Sequence, residues 1–366
     1  MTIHDELSRM EANKNVIPDY CMTFSESASY VIEYADSEYN KLFKAVGIEE
    51  LAVMESTGSQ IIYEGVNLKE LKDKVVAFFK KVWQAIKDLY TRIIGWFIAR
   101  TKEGKEKIGN LSKEEIEKYL AADKSYGKVT NWNAFDFFKS ETQVPLIKDA
   151  IEGIDIEGKY KAIAKKYANE DGTAKEANSD EFKSEVEKTK EEIFQTVTNK
   201  FYMKSDNVVD FKKKFSDRFK TEKIDANKEF VLKHLDEING VVKGGKSAEK
   251  VKKLYDAHKK MIEDFIKGVE DAFKDAQFSL VAKDAMESYK QVNAVLTVVT
   301  SLIQDFYKKQ FVEYFVLSVR VFQGIKAGKK EAEKKEAAEK KEDKKDEKKE
   351  EAKNESVDFV SEAFNW

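Results

Sequence analysis

Proline is almost missing from this 366-residue chain. Only Pro18 and Pro145 occur, and none follows residue 145. Proline removes an amide donor and clashes with the preceding helical turn, so its scarcity leaves long helices open to most of the chain. Cysteine is scarcer still: Cys21 stands alone, which excludes an intramolecular disulfide and fits synthesis in a reducing compartment. The three histidines, His4, His234 and His258, lie far apart and show no ligand-like spacing to one another or to Cys21, so they read as surface or satisfied core histidines and no metal is expected. The chain lacks G-x-x-x-x-G-K, G-x-G-x-x-G and G-x-S-x-G, the signatures of phosphate loops, dinucleotide sites and nucleophile elbows. Gly240, Gly244 and Gly245 stand near lysines, but no strand precedes them, and a helix–helix turn is the simpler reading. No run approaches 18 apolar residues, which argues against a spanning helix. The N-terminal MTIHDELSRM is charged and has no apolar signal core. Neither sign of charge dominates: 65 basic and 68 acidic residues give a net −3, so no global field gathers nucleic acid. The expectation is a non-enzymatic protein with no catalytic residue and no cofactor.

Against these absences stand 36% charged and 42% apolar residues, enough apolar surface for a folded core. The polar positions are mostly Lys and Glu, both good helix formers. The expected fold is all-α: an elongated multi-helix bundle or bundles, one long amphipathic helix, and a charged, disordered tail. Tyr30, Tyr34, Leu42 and Val46 recur at helical spacing and predict a helix over about 27–46, stopped by Gly47. The stretch 48–65 carries a Ser-Thr-Gly-Ser loop signal. The strongest pattern follows at 68–98, where Leu68, Leu71, Val75, Phe78, Val82, Ile86, Leu89, Ile93 and Phe97 are spaced by three or four. Phe79, Trp83, Tyr90 and Ile94 widen this stripe, Trp96 adds to its aromatic breadth, and Lys69, Lys72, Lys74, Lys80, Lys81, Lys87 and Arg92 fill the opposite face.

Ser112-Lys-Glu-Glu115 is a capping box that predicts a helix start. Residues 123–145 read as an aromatic connection, and 168–179 as a polar linker and subdomain boundary. Further helices are predicted over 182–203, 208–219, 230–242 (stopped by Gly244-Gly245), 247–273 and 282–325. The last has no charge from Gln291 to Gln304, which predicts burial among its neighbours. Residues 329–353 are nearly all Lys, Glu and Asp. Like charges fall at i, i+4, so a frayed tether is expected. The final SVDFVSEAFNW reads as a docking peptide carried by Phe359, Phe364 and Trp366. The domain scheme is thus 1–64, an N-terminal segment; 65–167, the amphipathic helix and a helical subdomain; 180–328, a helical bundle; 329–354, the tether; and 355–366, the docking peptide.

Two fates fit the 68–98 face of Leu71, Val75, Phe78, Phe79, Val82, Trp83, Ile86, Leu89, Tyr90, Ile93 and Phe97. A basic, aromatic helix suits a membrane surface, and it also suits packing against partner helices; soluble core packing is the more common fate of such a stripe. Direct nucleic-acid binding is the weaker idea. Lysine and phenylalanine interleave over 201–219, but Phe211, Phe215 and Phe219 sit one turn apart, as a core stripe would.

Residues 13–98 resemble structural proteins of large tailed bacteriophages. The matching features are Asn15-Val-Ile-Pro-Asp-Tyr20, Gly47-Ile-Glu-Glu-Leu51, Glu55-Ser-Thr-Gly-Ser59 with Ile62-Tyr-Glu-Gly65, and the Phe78–Trp83 stretch. They cover about a quarter of the chain. The resemblance implies a virion protein, internal to the head or associated with it, made in the host cytoplasm and contacting other virion proteins or further copies of itself as a homo-oligomer. Ile62-Tyr63-Glu64 is similar to the sites cut by head-maturation proteases of T-even-type phages, and Val53-Met54-Glu55 and Val360-Ser361-Glu362 fit more loosely. Glu55, Glu64 and Glu362 are therefore candidate processing sites, with 1–64 a removable assembly segment or an ordinary linker. The rival class is a membrane-active or ejected protein that lays 68–98 on a bilayer.

Overall fold

The computed structural model describes residues 32–41, 68–109, 111–131, 147–150, 154–172, 174–175, 179–217 and 222–362, with side chains as far as residue 337. These residues are all-α apart from one short strand pair. They form two compact units that interleave along the chain: Met1–Thr101, Thr130–Glu222 and Gly245–Phe311 in the first, and Lys102–Val129, Lys223–Gly244 and Val312–Trp366 in the second. Consecutive blocks were expected, with a boundary at 168–179. That stretch instead lies inside the first unit, where Ala168 and Ala174 form a β-bridge. Gly172 turns the bridge at φ +85°, and a Cβ there would fall 2.6 Å from Ser279 Oγ, so only glycine fits both the turn and the contact.

In the first unit α1 (32–41) falls within the helix predicted over 27–46, whose two ends lie outside the described residues. Helix α2 (Leu68–Lys107) outruns its predicted end by nine residues and spans about 60 Å at 1.5 Å per residue. A helical turn at 147–150 precedes α4 (Ile156–Tyr167), α5 (Ser179–Lys200), α6 (Val208–Asp217), α9 (Lys246–Ala272), a 3₁₀ helix (Ala276–Val281) and α10 (Ala282–Glu362). The numbers α3, α7 and α8 fall to the second unit. The uncharged stretch of α10 is buried as its composition predicts: Val292, Val295, Leu296, Val298, Val299 and Ile303 are nearly inaccessible. Against it lies the aromatic side of α2. Phe79 meets Tyr289 edge-on at 5.6 Å, Phe97 meets Phe311 at 6.1 Å, and Phe265 of α9 closes on Tyr289 at 4.7 Å. Such ring pairs add about 0.5–1.5 kcal/mol each beyond their buried area. At the α5–α6 corner Phe201, Phe211 and Phe215 pack on one another at 5.5–6.2 Å.

The second unit contains α3 (Lys113–Tyr119), β1 (Lys128–Thr130, its last residue beyond the unit), β2 (Lys223–Asp225), α7 (Lys228–Lys233), α8 (Leu235–Val242), the end of α2 and the later part of α10. Ser112 caps α3 by accepting from the Glu115 amide at 3.2 Å, while the Glu115 carboxylate turns to Lys329 rather than back to the cap. The aromatic connection expected at 123–145 holds β1. It pairs antiparallel with β2, with Tyr126 N donating to Ala226 O at 2.9 Å and Ala226 N to Gly127 O at 2.8 Å. The helix predicted over 230–242 is two, broken at His234, whose ring lies 4.4 Å from that of Phe230. Gly324 brings α10 against Tyr126 and Leu120: a Cβ would come within 2.8 Å of the Tyr126 ring.

Helix α10 runs through the Lys/Glu block to Glu362, where the sequence reading expects a frayed tether. Like charges at i, i+4 oppose a helix there only slightly. The block has neither Pro nor Gly after Gly328, is built from Lys, Glu and Ala, and also sets Glu331 before Lys335 and Glu336 before Lys340, all of which favour helix.

Adjacent residues on α2 test this packing. Phe97 is fully buried and Ile98 is 51% exposed. In urea titrations Phe97→Ala should lower stability by about 3–5 kcal/mol, and Ile98→Ala should stay within about 0.5 kcal/mol of the parent.

Candidate functional site

The face proposed from sequence to meet a partner or membrane is already covered. Leu71, Val75, Phe78, Phe79, Val82, Ile86, Leu89, Tyr90, Ile93 and Phe97 are all buried within the first unit, and Trp83 is half-buried against Tyr255 of α9. The physical reason is supply. The uncharged stretch of α10 and the apolar side of α9 offer the aromatic stripe a covering of matching length, and core burial removes more apolar surface from water than a one-sided contact does. Of the other candidates, Glu55, Glu64, Phe364 and Trp366 lie outside the described residues. Phe359 and Glu362 fall in the last turns of α10, their side chains outside the described set. A protease needs an extended segment, and Glu362 ends a helix. The phenylalanines 211 and 215, weighed for base stacking, are 0% and 1% exposed. Phe219 lies outside the described residues.

The unexpected feature is polar and internal. On α10, Asn293, Thr297, Thr300, Ser301 and Gln304 are buried in the otherwise apolar core. The hydroxyls of Thr297, Thr300 and Ser301 donate back to carbonyls of their own helix at 2.8–2.9 Å, which satisfies them locally. Asn293 reaches out: its Oδ1 lies 3.2 Å from His258 Nε2 on α9. The other ring nitrogen, Nδ1, faces the Tyr90 hydroxyl of α2 at 3.5 Å. Asn293 Oδ1 is an acceptor, so Nε2 carries the proton and Nδ1 accepts from Tyr90. Burial, opposed only by the Asn293 hydrogen bond, pushes His258 down to about 4. Burial also raises the Tyr90 phenol, against the Thr300 and Gln304 side chains. Gln304 itself is fully buried and neither amide atom reaches a partner in full hydrogen-bond geometry. The sequence carried a signal for this row. Within the uncharged stretch Asn293, Thr297, Thr300 and Gln304 recur in steps of four, three and four, a polar stripe on one face of a buried helix.

A second cluster borders an open cleft of about 780 Å³ in the same unit, lined by α1, α5, Asp206 and Asn207, the start of α6, and α10. Lys190 of α5, only 14% exposed, lies 2.7 Å from Glu187, 3.1 Å from Glu287 and 3.3 Å from Asp284. Burial works against its charge, but the Glu187 hydrogen bond and the Asp284 and Glu287 carboxylates outweigh that and hold it protonated. Burial raises the Asp284 carboxyl, partly offset by Lys190. Beside them Lys290 pairs with Asp36 at 3.0 Å and sits 4.3 Å above the Tyr39 ring. Tyr160 meets Ser288 at 2.9 Å. Among the described residues no histidine, cysteine or serine lines the cleft, and no three His, Cys, Asp or Glu side chains are placed to hold a metal ion. Of the charges lining the cleft, Lys190 with Glu287 ties α5 to the start of α10, and Lys290 with Asp36 ties α1 to it.

Comparison with known proteins adds no relative: no family model, no characterised protein and no solved structure matches the chain.

Both clusters make testable statements. Between about pH 6.5 and 4 the unfolded chain binds a proton at His258 that the folded chain does not, so stability falls as pH drops through that window. At 1.36 kcal/mol per pH unit the loss approaches about 3 kcal/mol near pH 4, and replacing His258 should remove that part of the slope in urea titrations. Lys190→Ala leaves Asp284 and Glu287 without their cation and should cost about 2–4 kcal/mol at pH 7. That loss should shrink in acid, as the Asp284 carboxyl, raised by burial, takes up a proton.

Proposed function

We propose that the chain is a non-enzymatic structural protein of a bacteriophage particle, internal to the head or associated with it, which acts through helix-mediated contacts with other virion proteins. The observation that supports this reading is the composition of α10 along its length. Its first part is rooted by buried residues in each unit: Val292, Val295, Val299, Ile303 and Phe311 in the first, and Tyr314, Leu317, Val321 and Ile325 in the second. From Lys326 to residue 337 its side chains are largely exposed, and its sequence from there to Glu362 is rich in Lys and Glu, with Phe359, Phe364 and Trp366 at the end. One continuous element thus joins a folded body to an aromatic end. Such an arrangement suits attachment, because a helix sets the distance between body and docking group without loss of order at a joint. In the same reading 1–64 is an assembly segment, removed by a head-maturation protease after Glu55 or Glu64.

The rival reading lays 68–98 on a bilayer. In the folded chain that face is in the core, and no described helix is long and apolar enough to cross a membrane.

Mass spectrometry of the chain from purified particles of the encoding phage, against freshly expressed protein, tests the proposal. The expected result is the chain in particles with a mature start at Ser56 or Gly65. A full-length chain in particles discards removal and keeps the attachment role. Absence from particles overturns the reading.

A further inference from the structure

The environment of His258 has a consequence beyond stability. The ring is buried where three helices meet. Trp83 and Tyr90 of α2 stand at 6.4 and 6.0 Å, Asn293 of α10 binds Nε2, and Tyr255, one turn back on α9, closes on both α2 rings at 5.4 Å. Every one of these groups is neutral. The charges of α9 that act on this cluster, Lys259, Asp256 and Glu263, act on Tyr255 and not on His258. No carboxylate therefore stands ready to balance an imidazolium. Proton uptake would occur at Nδ1, whose lone pair accepts from Tyr90. The Tyr90 hydroxyl can rotate to accept from the new Nδ1–H, which satisfies the hydrogen bond but supplies no charge to balance the imidazolium. A cation buried without a partner is relieved by opening the interface that encloses it.

The interface is that of α2 with α9 and α10, and opening it uncovers the α2 stripe. Residues 68–98 carry seven basic side chains against three acidic, opposite Phe78, Phe79, Val82, Trp83, Ile86 and Phe97. A helix basic on one side and aromatic on the other is complementary to an anionic lipid surface, where it lies in the interface plane. No described helix is suited to spanning, so surface binding is the mode that fits. Lipid captures only the open form and so draws the equilibrium toward it.

We propose that the chain is an acid-gated binder of anionic membranes, in which protonation of His258 parts α2 from α9 and α10 and presents the Leu71–Phe97 face to the lipid. The proposal is independent of the particle role, since it concerns a second conformation of the same helix. Opening here is a proton-driven change of population between two packings, each competent for one surface.

Flotation of the full chain with phosphatidylglycerol–phosphatidylcholine vesicles across a pH series tests it. The expected result is no binding at pH 7 and co-flotation below about pH 5, with little binding to phosphatidylcholine alone. His258→Gln keeps one donor and one acceptor but cannot be protonated, and Asn293→Asp supplies the missing counter-ion. Each should move the binding midpoint down by about one pH unit or more. Near-UV circular dichroism at pH 7 establishes that each variant folds. If neither folds, ¹³C-histidine NMR of the unaltered chain decides instead: the His258 Cε1 resonance must titrate at the flotation midpoint. The proposal is overturned by absence of flotation at every pH down to about 4, by equal binding at pH 7, by equal binding to uncharged vesicles, by midpoints unchanged in folded variants, or by a His258 titration apart from the binding transition.

Discussion

The fold of the first unit depends on one mutual burial. The uncharged stretch of α10 has no side on which water is favoured, and the aromatic stripe of α2 is too broad to leave exposed. Each supplies the covering the other requires. Phe79 on Tyr289 and Phe97 on Phe311 mark two points along that contact, and α9 closes it through Phe265 and Tyr255. The remaining helices of the unit attach to this frame: α4 through Tyr160 on Ser288, α5 through Lys190 on Asp284 and Glu287, and α1 through Tyr39 on Phe78.

The polar row inside that frame adds specificity at some cost in stability. An apolar residue in place of Gln304 would leave no amide buried without a partner. Asn293, His258 and Tyr90 join one side chain from each of three helices, so their hydrogen bonds are made in only one register of α10 against α2 and α9. Apolar contacts alone tolerate small slips, and directional bonds do not. The same directionality makes the site sensitive to a proton, because the donor and acceptor roles around the ring are already assigned.

The surface charges act differently. The Lys190 cluster and the Lys290–Asp36 pair place each cation beside carboxylates, and Lys81 joins α2 to Glu38 of α1 at 2.8 Å. These contacts position helices. In each of these the cation meets a carboxylate on another helix. At the α5–α6 corner, where phenylalanines interleave with lysines, Phe211 and Phe215 face inward, and the lysines between them face water.

The sequence by itself determined the elements. Helical spacing located α2, α5, α6, α9 and α10 to within a few residues at most of their ends, Ser112 marked the start of α3, and the uncharged stretch of α10 announced its burial, because propensity and periodicity are local properties of the chain. Apart from the Lys/Glu end of α10, where local propensity decided, it missed what a distant residue decided. Strand β1 forms because β2 arrives a hundred residues later to pair with it, and Glu115 abandons the cap for Lys329 of α10. The interleaved units arise from long-range packing that no window of sequence contains. Which surface would cover the Leu71–Phe97 stripe was likewise undecidable from periodicity, since an amphipathic face specifies only that it must be buried. Tertiary structure chose α9 and α10, and in doing so enclosed His258 among neutral groups. That placement alone lowers the basicity of the His258 imidazole.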